Sequence, residues 1–166
     1  LNGEELTVIA WIWARTVKCP NPACGIEMPL VRSWWLGKKR GKEAFVVPTV
    51  VTKHDGTRRV EFTISHDVHA GPASANDGTV TRTGAVCVSC GTGAPLSHVR
   101  EEGKAGRIGA RLMAMAVEGD RRRLYLPPTA EQESAAVIAV PADIPETDLP
   151  DAALGFRVQA YGMRRH

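Results

Sequence analysis

Two runs of residues predict a β-hairpin near the middle of the chain. Residues 45–52 are rich in β-branched side chains, and residues 59–64 alternate polar and apolar positions as a half-buried strand does. Asp55-Gly56 between them is a typical hairpin turn. Because Pro48 has no backbone N–H to donate, we expect its strand to lie at the edge of a sheet.

Other segments predict strands and one helix around this hairpin. Acidic residues followed by apolar positions at helical spacing predict a helix within residues 1–18. Four further runs have the composition of strands. These runs are residues 28–36, 83–88, 112–117 and 122–126.

Two short helices are predicted in the second half of the chain. The first covers residues 97–106 and begins at a capping serine, and the second covers residues 129–140 and opens with a capping box. Residues 66–78 are rich in small polar residues, glycine and proline, which predicts an exposed loop. The proline-rich, acidic residues 141–150 predict a linker.

The four cysteines fall into two pairs, each in a short turn followed by glycine. Cys19 and Cys24 form the first pair, Cys87 and Cys90 form the second, and residues 25–86 separate them. Zinc prefers four tetrahedral soft ligands, so two such turns predict one structural zinc site. A shell of four thiolates leaves no open position for a substrate, so we expect the ion to hold structure only.

Rival roles for the cysteines explain less of the pattern. A disulfide needs an oxidising compartment, for which the sequence carries no targeting pattern. Thioredoxin-like chemistry at Cys87 and Cys90 would leave Cys19 and Cys24 unexplained. A zinc deaminase needs a His-x-Glu motif, and the sequence has none.

Together these patterns predict an α+β fold, mainly a β zinc ribbon with a rubredoxin-like four-cysteine site, an inserted β-hairpin and flanking helices. We expect an N-terminal helix over residues 1–18 and the ribbon with its hairpin over residues 19–98. A helix, a strand pair and a second helix over residues 99–140 pack on the ribbon. Residues 141–166 form the linker and a C-terminal strand, and we expect the whole to be one domain of a longer chain.

Positive charge is concentrated in one short run after the first cysteine pair. The formal charge is only +3, but residues 131–166 are net acidic, so the rest of the chain is distinctly basic. The run contains Arg32, Trp34, Trp35, Lys38, Lys39, Arg40 and Lys42. Cations contact phosphates and tryptophan stacks on bases, so we interpret this run as a nucleic-acid contact. The alternative is a solvated turn whose tryptophans pack in part against the core.

No catalytic set emerges from the remaining residues. His66 and His69 imitate a metal-binding pair, but we expect both to be exposed loop residues without a metal. The glycines of residues 103–109 do not match the phosphate-binding Gly-x-Gly-x-x-Gly pattern. Since no apolar run approaches the roughly 20 residues of a membrane span, we expect a cytoplasmic chain that makes no membrane contact.

The residues around the first cysteine pair resemble a known family. The run TVIAWIWARTVKCPNPACG over residues 7–25 is similar to the zinc-ribbon region of bacterial and archaeal adenine-specific DNA methylases, which often lie in phage-defence islands. Residues 125–129 and 155–162 extend the resemblance over nearly the whole chain. The resemblance implies the same zinc ligands, namely Cys19, Cys24, Cys87 and Cys90.

The resemblance further implies an accessory domain of an N6-adenine methyltransferase. Such enzymes use S-adenosylmethionine and an Asp/Asn-Pro-Pro-Tyr/Phe tetrapeptide, whose nearest match, residues 126–129, lacks both its polar and its aromatic member. We therefore expect the catalytic residues and S-adenosylmethionine in the parent enzyme but not in this segment. The expected partners are DNA, through the basic run, and the parent's catalytic domain. The alternative is a structural or protein-interaction module without direct nucleic-acid contact.

Overall fold

The computed structural model of the 166-residue chain describes residues 6–72, 78–119, 122–139 and 142–143. These residues form mostly strands and few helices, as the sequence predicts. The strands are β1 (Val8–Lys18), β2 (Glu27–Leu30), β3 (Trp35–Gly37), β4 (Ala44–Thr52), β5 (Arg58–Ser65), β6 (Gly84–Val86), β7 (Gly93–Pro95), β8 (Gly109–Gly119) and β9 (Arg122–Leu126). The helices are α1 (Leu96–Lys104) and α2 (Ala130–Ala135), with a 3-10 turn at Val68–Ala70. None of these helices is long and apolar enough to cross a membrane.

The strands pair into three antiparallel sheets. Four strands form the first sheet in the order β2-β1-β8-β9, three form the second in the order β3-β4-β5, and β6 and β7 form a two-stranded ribbon. The strand pair predicted near the end of the chain, now β8 and β9, therefore continues the sheet that β1 begins. Strand β1, near the start of the chain, thus shares one sheet with β8 and β9 from its second half.

The predicted N-terminal helix is wrong, because Val8–Lys18 forms strand β1. Its apolar residues are mostly β-branched or aromatic, and these side chains favour an extended backbone over a helical one. The strand pairs with β8 along most of its length, with two register shifts. It pairs with β2 only from Arg15 to Lys18.

The central hairpin forms as predicted, from β4 and β5. At its tip the Asp55 carboxylate accepts hydrogen bonds from the backbone N–H and the hydroxyl of Thr57, and Gly56 has a φ of 78°. The predicted edge position of this strand is wrong, because β4 is the middle strand of its sheet, but β3 pairs only with Phe45 and Ala44. Pro48 lies beyond this short pairing, so the missing N–H costs no bond to β3.

The strand predicted over residues 28–36 is two strands in different sheets, β2 and β3. Buried Thr79 secures the crossing between them, since its hydroxyl accepts a 2.9 Å hydrogen bond from Val31 N–H and donates a 2.5 Å bond to Pro29 C=O. The neighbouring position 78 requires glycine, because a Cβ there would overlap the carbonyl oxygen of Val31. The strand predicted over residues 83–88 is the shorter β6.

The two helices begin and end differently from the prediction. Helix α1 starts at Leu96 with Pro95 as its N-cap and no side-chain cap, so the predicted Ser97 cap is wrong. The capping box at Thr129 and Gln132 forms as predicted, but α2 ends at Ala135. The predicted linker and C-terminal strand over residues 141–166 lie outside the described residues apart from 142–143.

The hydrophobic core connects the sheets and includes two of the cysteines. Trp34 packs on Phe62 with their ring centroids 6.4 Å apart, and both side chains are buried. The same buried cluster contains aliphatic residues from the four-stranded sheet together with Cys19 and Cys87. The thiols are thus part of the packed interior as well as of a candidate site.

We expect Thr79→Val to destabilise the chain by about 2–4 kcal/mol. Valine has nearly the same shape as threonine, but it leaves the buried N–H of Val31 and the C=O of Pro29 without their partner. Chemical unfolding of the metal-loaded chain measures the loss. The control is Thr49→Val, which makes the same change at an exposed position of β4. Equal stabilities of the two variants would contradict this role of Thr79.

Candidate metal centre

The first cysteine pair lies in a tight turn between β1 and β2. The N–H of Cys19 donates to Ile26 C=O at 2.9 Å, and the N–H groups of Cys24 and Gly25 both donate to Asn21 C=O, at 3.0 and 2.9 Å. Gly25 has a φ of 56°, a conformation that glycine adopts without the strain of a side chain. The backbone itself therefore fixes the position of both thiols.

The second pair lies in a similar turn between β6 and β7. The N–H of Cys87 donates to Thr92 C=O at 3.0 Å, and the N–H of Gly91 donates to Cys87 C=O at 2.9 Å. Gly91 has a φ of 72°, matching the glycine that follows the first pair. Each cysteine pair is thus held in a turn between two antiparallel strands.

The two turns bring all four thiols to one place. The four sulfur atoms lie within 4.8 Å of one another, with Cys19 Sγ 3.7 Å from Cys90 Sγ and Cys24 Sγ 3.9 Å from Cys87 Sγ. A tetrahedral ion with metal–sulfur bonds of about 2.3 Å places its ligands about 3.8 Å apart. These distances suit a shared metal ion and exceed the roughly 2.05 Å of a disulfide bond.

The electrostatics of the four thiols are uneven. Burial raises the pKa of Cys19 to about 12 and raises that of Cys87 as well. Cys90 is exposed, and its hydrogen bonds with the side chain and backbone of Thr92 lower its pKa to about 6. Cys90 is therefore a ready thiolate near neutral pH, whereas the two buried cysteines hold their protons until a cation replaces them.

Residues outside the cysteine turns support the site. Arg58, at the start of β5, donates hydrogen bonds of 3.1 Å to the carbonyl groups of both Ala23 and Cys24. The ring Nε2 of His98 in α1 lies 2.9 Å from Lys18 C=O. The inserted hairpin and α1 are thereby attached to the first cysteine turn. The sequence gives no signal for the Arg58 contact, because 33 residues separate Arg58 from Cys24 and only the folded hairpin brings the two together.

The predicted nucleic-acid run divides into separate places. Lys38, Lys39, Arg40 and Lys42 remain together on the exposed loop between β3 and β4, where Lys42 N–H donates to Lys39 C=O at 2.8 Å. The nine residues of β4 put this basic loop about 26 Å from the hairpin tip, at roughly 3.3 Å per residue. Since Arg58 attaches the tip to the cysteines, the basic loop lies at the far end of the hairpin from the candidate metal centre.

The tryptophans of the run are packed against other residues. Trp34 is only 6% exposed, so its predicted role in stacking on a base is wrong. Trp35 is half-buried with its ring 5.3 Å from that of Phe45 and close to Gly71. Arg32 is exposed and lines a separate cavity of about 600 Å³ with Thr81 and Arg82. Of the predicted contact residues, only the loop cations form one surface.

Exposed aromatic side chains occur instead on β1, where the sequence interpretation missed them. Trp11 and Trp13 are 40% and 37% exposed, beside exposed Val8 and Ile9. The alternation of these residues could have indicated a strand face, but the helical interpretation of residues 1–18 concealed it.

The two predicted loop histidines are exposed, as expected. His66 Nδ1 lies 2.9 Å from Glu43 C=O, and His69 N–H donates to the Asp67 carboxylate. In the described part of the chain, the four cysteines are the one cluster of three or more His, Cys, Asp or Glu side chains suited to a metal.

Comparison of the chain with protein-family models, with curated proteins and with solved structures finds no match. The likeness to DNA methylases thus stays a prediction from sequence motifs.

We expect metal binding near pH 7 to release about two protons or more per ion. Cys19 and Cys87 have raised pKa values and are protonated at this pH, whereas Cys90, with a pKa of about 6, is mostly a thiolate. The ion displaces the bound protons, so its affinity should increase as the pH is raised. Calorimetric titration of Zn²⁺ in two buffers with different protonation enthalpies measures the release, and a value below one proton would contradict this account.

Proposed function

We propose that the four cysteines hold one structural zinc ion. All four donors are cysteine sulfur atoms at tetrahedral spacing, a ligand set that favours zinc or iron among the common metals. The two turns leave no position on the ion for a substrate, so the metal serves to join the β1–β2 and β6–β7 hairpins. This arrangement agrees with a zinc ribbon carrying an inserted β-hairpin.

We infer that the chain is the DNA-engaging accessory domain of an adenine-specific methyltransferase. The observation that carries the proposal is the basic loop, in which Lys38, Lys39, Arg40 and Lys42 are exposed and have no described ion pair or side-chain hydrogen bond. Four unneutralised cations on one turn repel one another, and the phosphates of DNA relieve that repulsion by neutralising them. The methylase likeness of residues 7–25 supplies the identity of the parent enzyme.

The mode of contact follows from the packing of the tryptophans. Because Trp34 is buried and Trp35 is packed on Phe45, the loop offers charge but no free aromatic ring for a base. Phosphate contacts fix position on DNA without reading its sequence. The loop therefore supplies affinity and orientation, while selection of the adenine and transfer of the methyl group belong to the catalytic domain.

The segment nearest to a methylase tetrapeptide has a different task in this chain. Residues 126–129 connect β9 to α2, and the Thr129 side chain is occupied in the capping box of that helix. The proposal accordingly assigns S-adenosylmethionine to the parent enzyme and no catalytic residue to this segment.

A second candidate function is a protein-interaction module without DNA contact. The exposed apolar residues of β1, namely Val8, Ile9, Trp11 and Trp13, favour it. An apolar stretch of strand exposed in this way suits burial against another polypeptide. In this case the cations of the basic loop are only a solvated surface.

We expect elemental analysis to find about one zinc ion per chain and little iron. Zinc binding contributes on the order of 10–16 kcal/mol to the folding free energy of zinc-finger peptides, as much as the whole stability of an ordinary domain. Cys19→Ser, or a strong chelator, should therefore abolish the cooperative thermal transition seen by circular dichroism. Ser89→Ala, an exchange beside the ligands that keeps all four thiols, is the control. A chelated chain that melts unchanged would show that no metal supports the fold.

We expect the joint change of Lys38, Lys39 and Arg40 to Gln to lower the affinity for DNA. The affinity of this variant should also depend less steeply on salt concentration. Each lost phosphate contact reduces the slope of log affinity against log salt by about 0.9 for duplex DNA. Fluorescence anisotropy with a labelled duplex over a range of salt concentrations measures both effects. Arg100→Gln, an exposed change in α1, is the control for loss of charge. Binding that is insensitive to salt, or unchanged in the triple variant, would favour the protein-interaction function.

A further inference from the structure

A cavity of about 400 Å³ separates the basic loop from strand β9. Its lining joins residues that are far apart in the sequence, and only one of them belongs to the run predicted to contact nucleic acid. Apart from Gly41, the residues that line it are Lys42, Glu43, His66, Arg123, Leu124 and Tyr125. A volume of this size lies within the range of ordinary ligand pockets.

The walls of the cavity are fixed by hydrogen bonds between elements. Tyr125 Oη–H donates to Leu36 C=O at 3.0 Å, which attaches β9 to β3. Gly37 allows this approach, because a Cβ there would lie 3.0 Å from Lys42 C=O and 3.6 Å from the Tyr125 ring. The contact of His66 with Glu43 C=O holds the end of β5 to the start of β4. The cavity is therefore formed before any ligand arrives.

The charge of the cavity favours an anion. Lys42, from the basic loop, and Arg123, from β9, both line it, and neither has a described ion pair. Among the described residues, Glu43 is the one acidic residue that lines it, and Glu118, opposite Arg123 in the β8–β9 register, forms no described ion pair with Arg123. Two cations without a described ion pair and one carboxylate leave a net positive site, beside a loop that adds three more cations.

We propose that this cavity binds one phosphate group of the DNA backbone, held jointly by Lys42 and Arg123. The inference rests on the proposed DNA-engaging function and adds Arg123, a residue from outside the loop, to that contact. A small free anion would neutralise only the cavity. A strand of DNA that passes over it also neutralises Lys38, Lys39 and Arg40, so the charge distribution favours a polyanion.

The test uses the zinc-loaded chain with Lys42→Gln, Arg123→Gln and both changes together. Lys53→Gln removes one exposed cation from the hairpin tip, at the other end of β4, and is the matched control. Unchanged thermal melting establishes that each variant folds. Anisotropy with a labelled duplex then gives the affinity and its salt slope for every variant.

If both side chains hold one phosphate, their effects on DNA binding are coupled. We expect the double variant to reduce the salt slope by about 0.9, the value for one phosphate, and each single variant to reduce it by less. Two independent contacts would instead reduce the slope by about 1.8 in the double variant. That result, or a double variant that behaves like Lys53→Gln, overturns the proposal.

The same measurements separate this inference from the proposed function. If the chain binds DNA with salt dependence and the loop variants weaken it while Lys42→Gln and Arg123→Gln do not, only the cavity assignment fails. If the unaltered chain shows no salt-sensitive binding, the proposed function fails and the cavity assignment with it. If inorganic phosphate binds the unaltered chain but not the double variant, while both bind the duplex equally, the cavity belongs to the free anion and not to DNA.

Discussion

The convergence of four thiols at one point is the constraint on which the arrangement of the other elements depends. Two hairpin turns, separated by residues 25–86, must meet with their sulfur atoms within 4.8 Å of one another. That meeting places β6 and β7 beside the end of β1 and makes the intervening chain return to its starting point. Burial raises the pKa of Cys19 and Cys87, because a buried thiol resists ionisation unless a cation accompanies it. The buried core thus contains two ionisable thiols in addition to its hydrophobic side chains.

The sequence is sufficient to predict the structure where a few adjacent residues determine the backbone conformation. The Asp55-Gly56 turn, the capping box at Thr129 and the glycine after each cysteine pair all have the conformations that their chemistry favours. The clustering of the four thiols could be predicted for the same reason, since two short cysteine turns have few other uses. These features required no knowledge of which distant strands would pair.

The errors arose where distant contacts decide the outcome. Residues 8–18 satisfy a helical spacing of apolar positions, yet pairing with β8 and the β-branched and aromatic content of the segment make it a strand. The run after the first cysteines looked like one surface, but Trp34 is drawn into the core by Phe62 while Lys38 to Lys42 stay outside. Arg123 and Tyr125 could not be associated with Lys42 from sequence, because only the β8–β9 pairing and the Tyr125 hydrogen bond bring them together.

The closed return of the chain between the two cysteine turns has an evolutionary consequence. Because the segment leaves and re-enters at neighbouring points, its interior can lengthen or be replaced while the thiols keep their positions. Lengthening such a closed segment is inexpensive, about 0.6 kcal/mol for each doubling of a flexible loop. The four clustered cysteines can accordingly keep their geometry while the hairpin between them changes in length and charge.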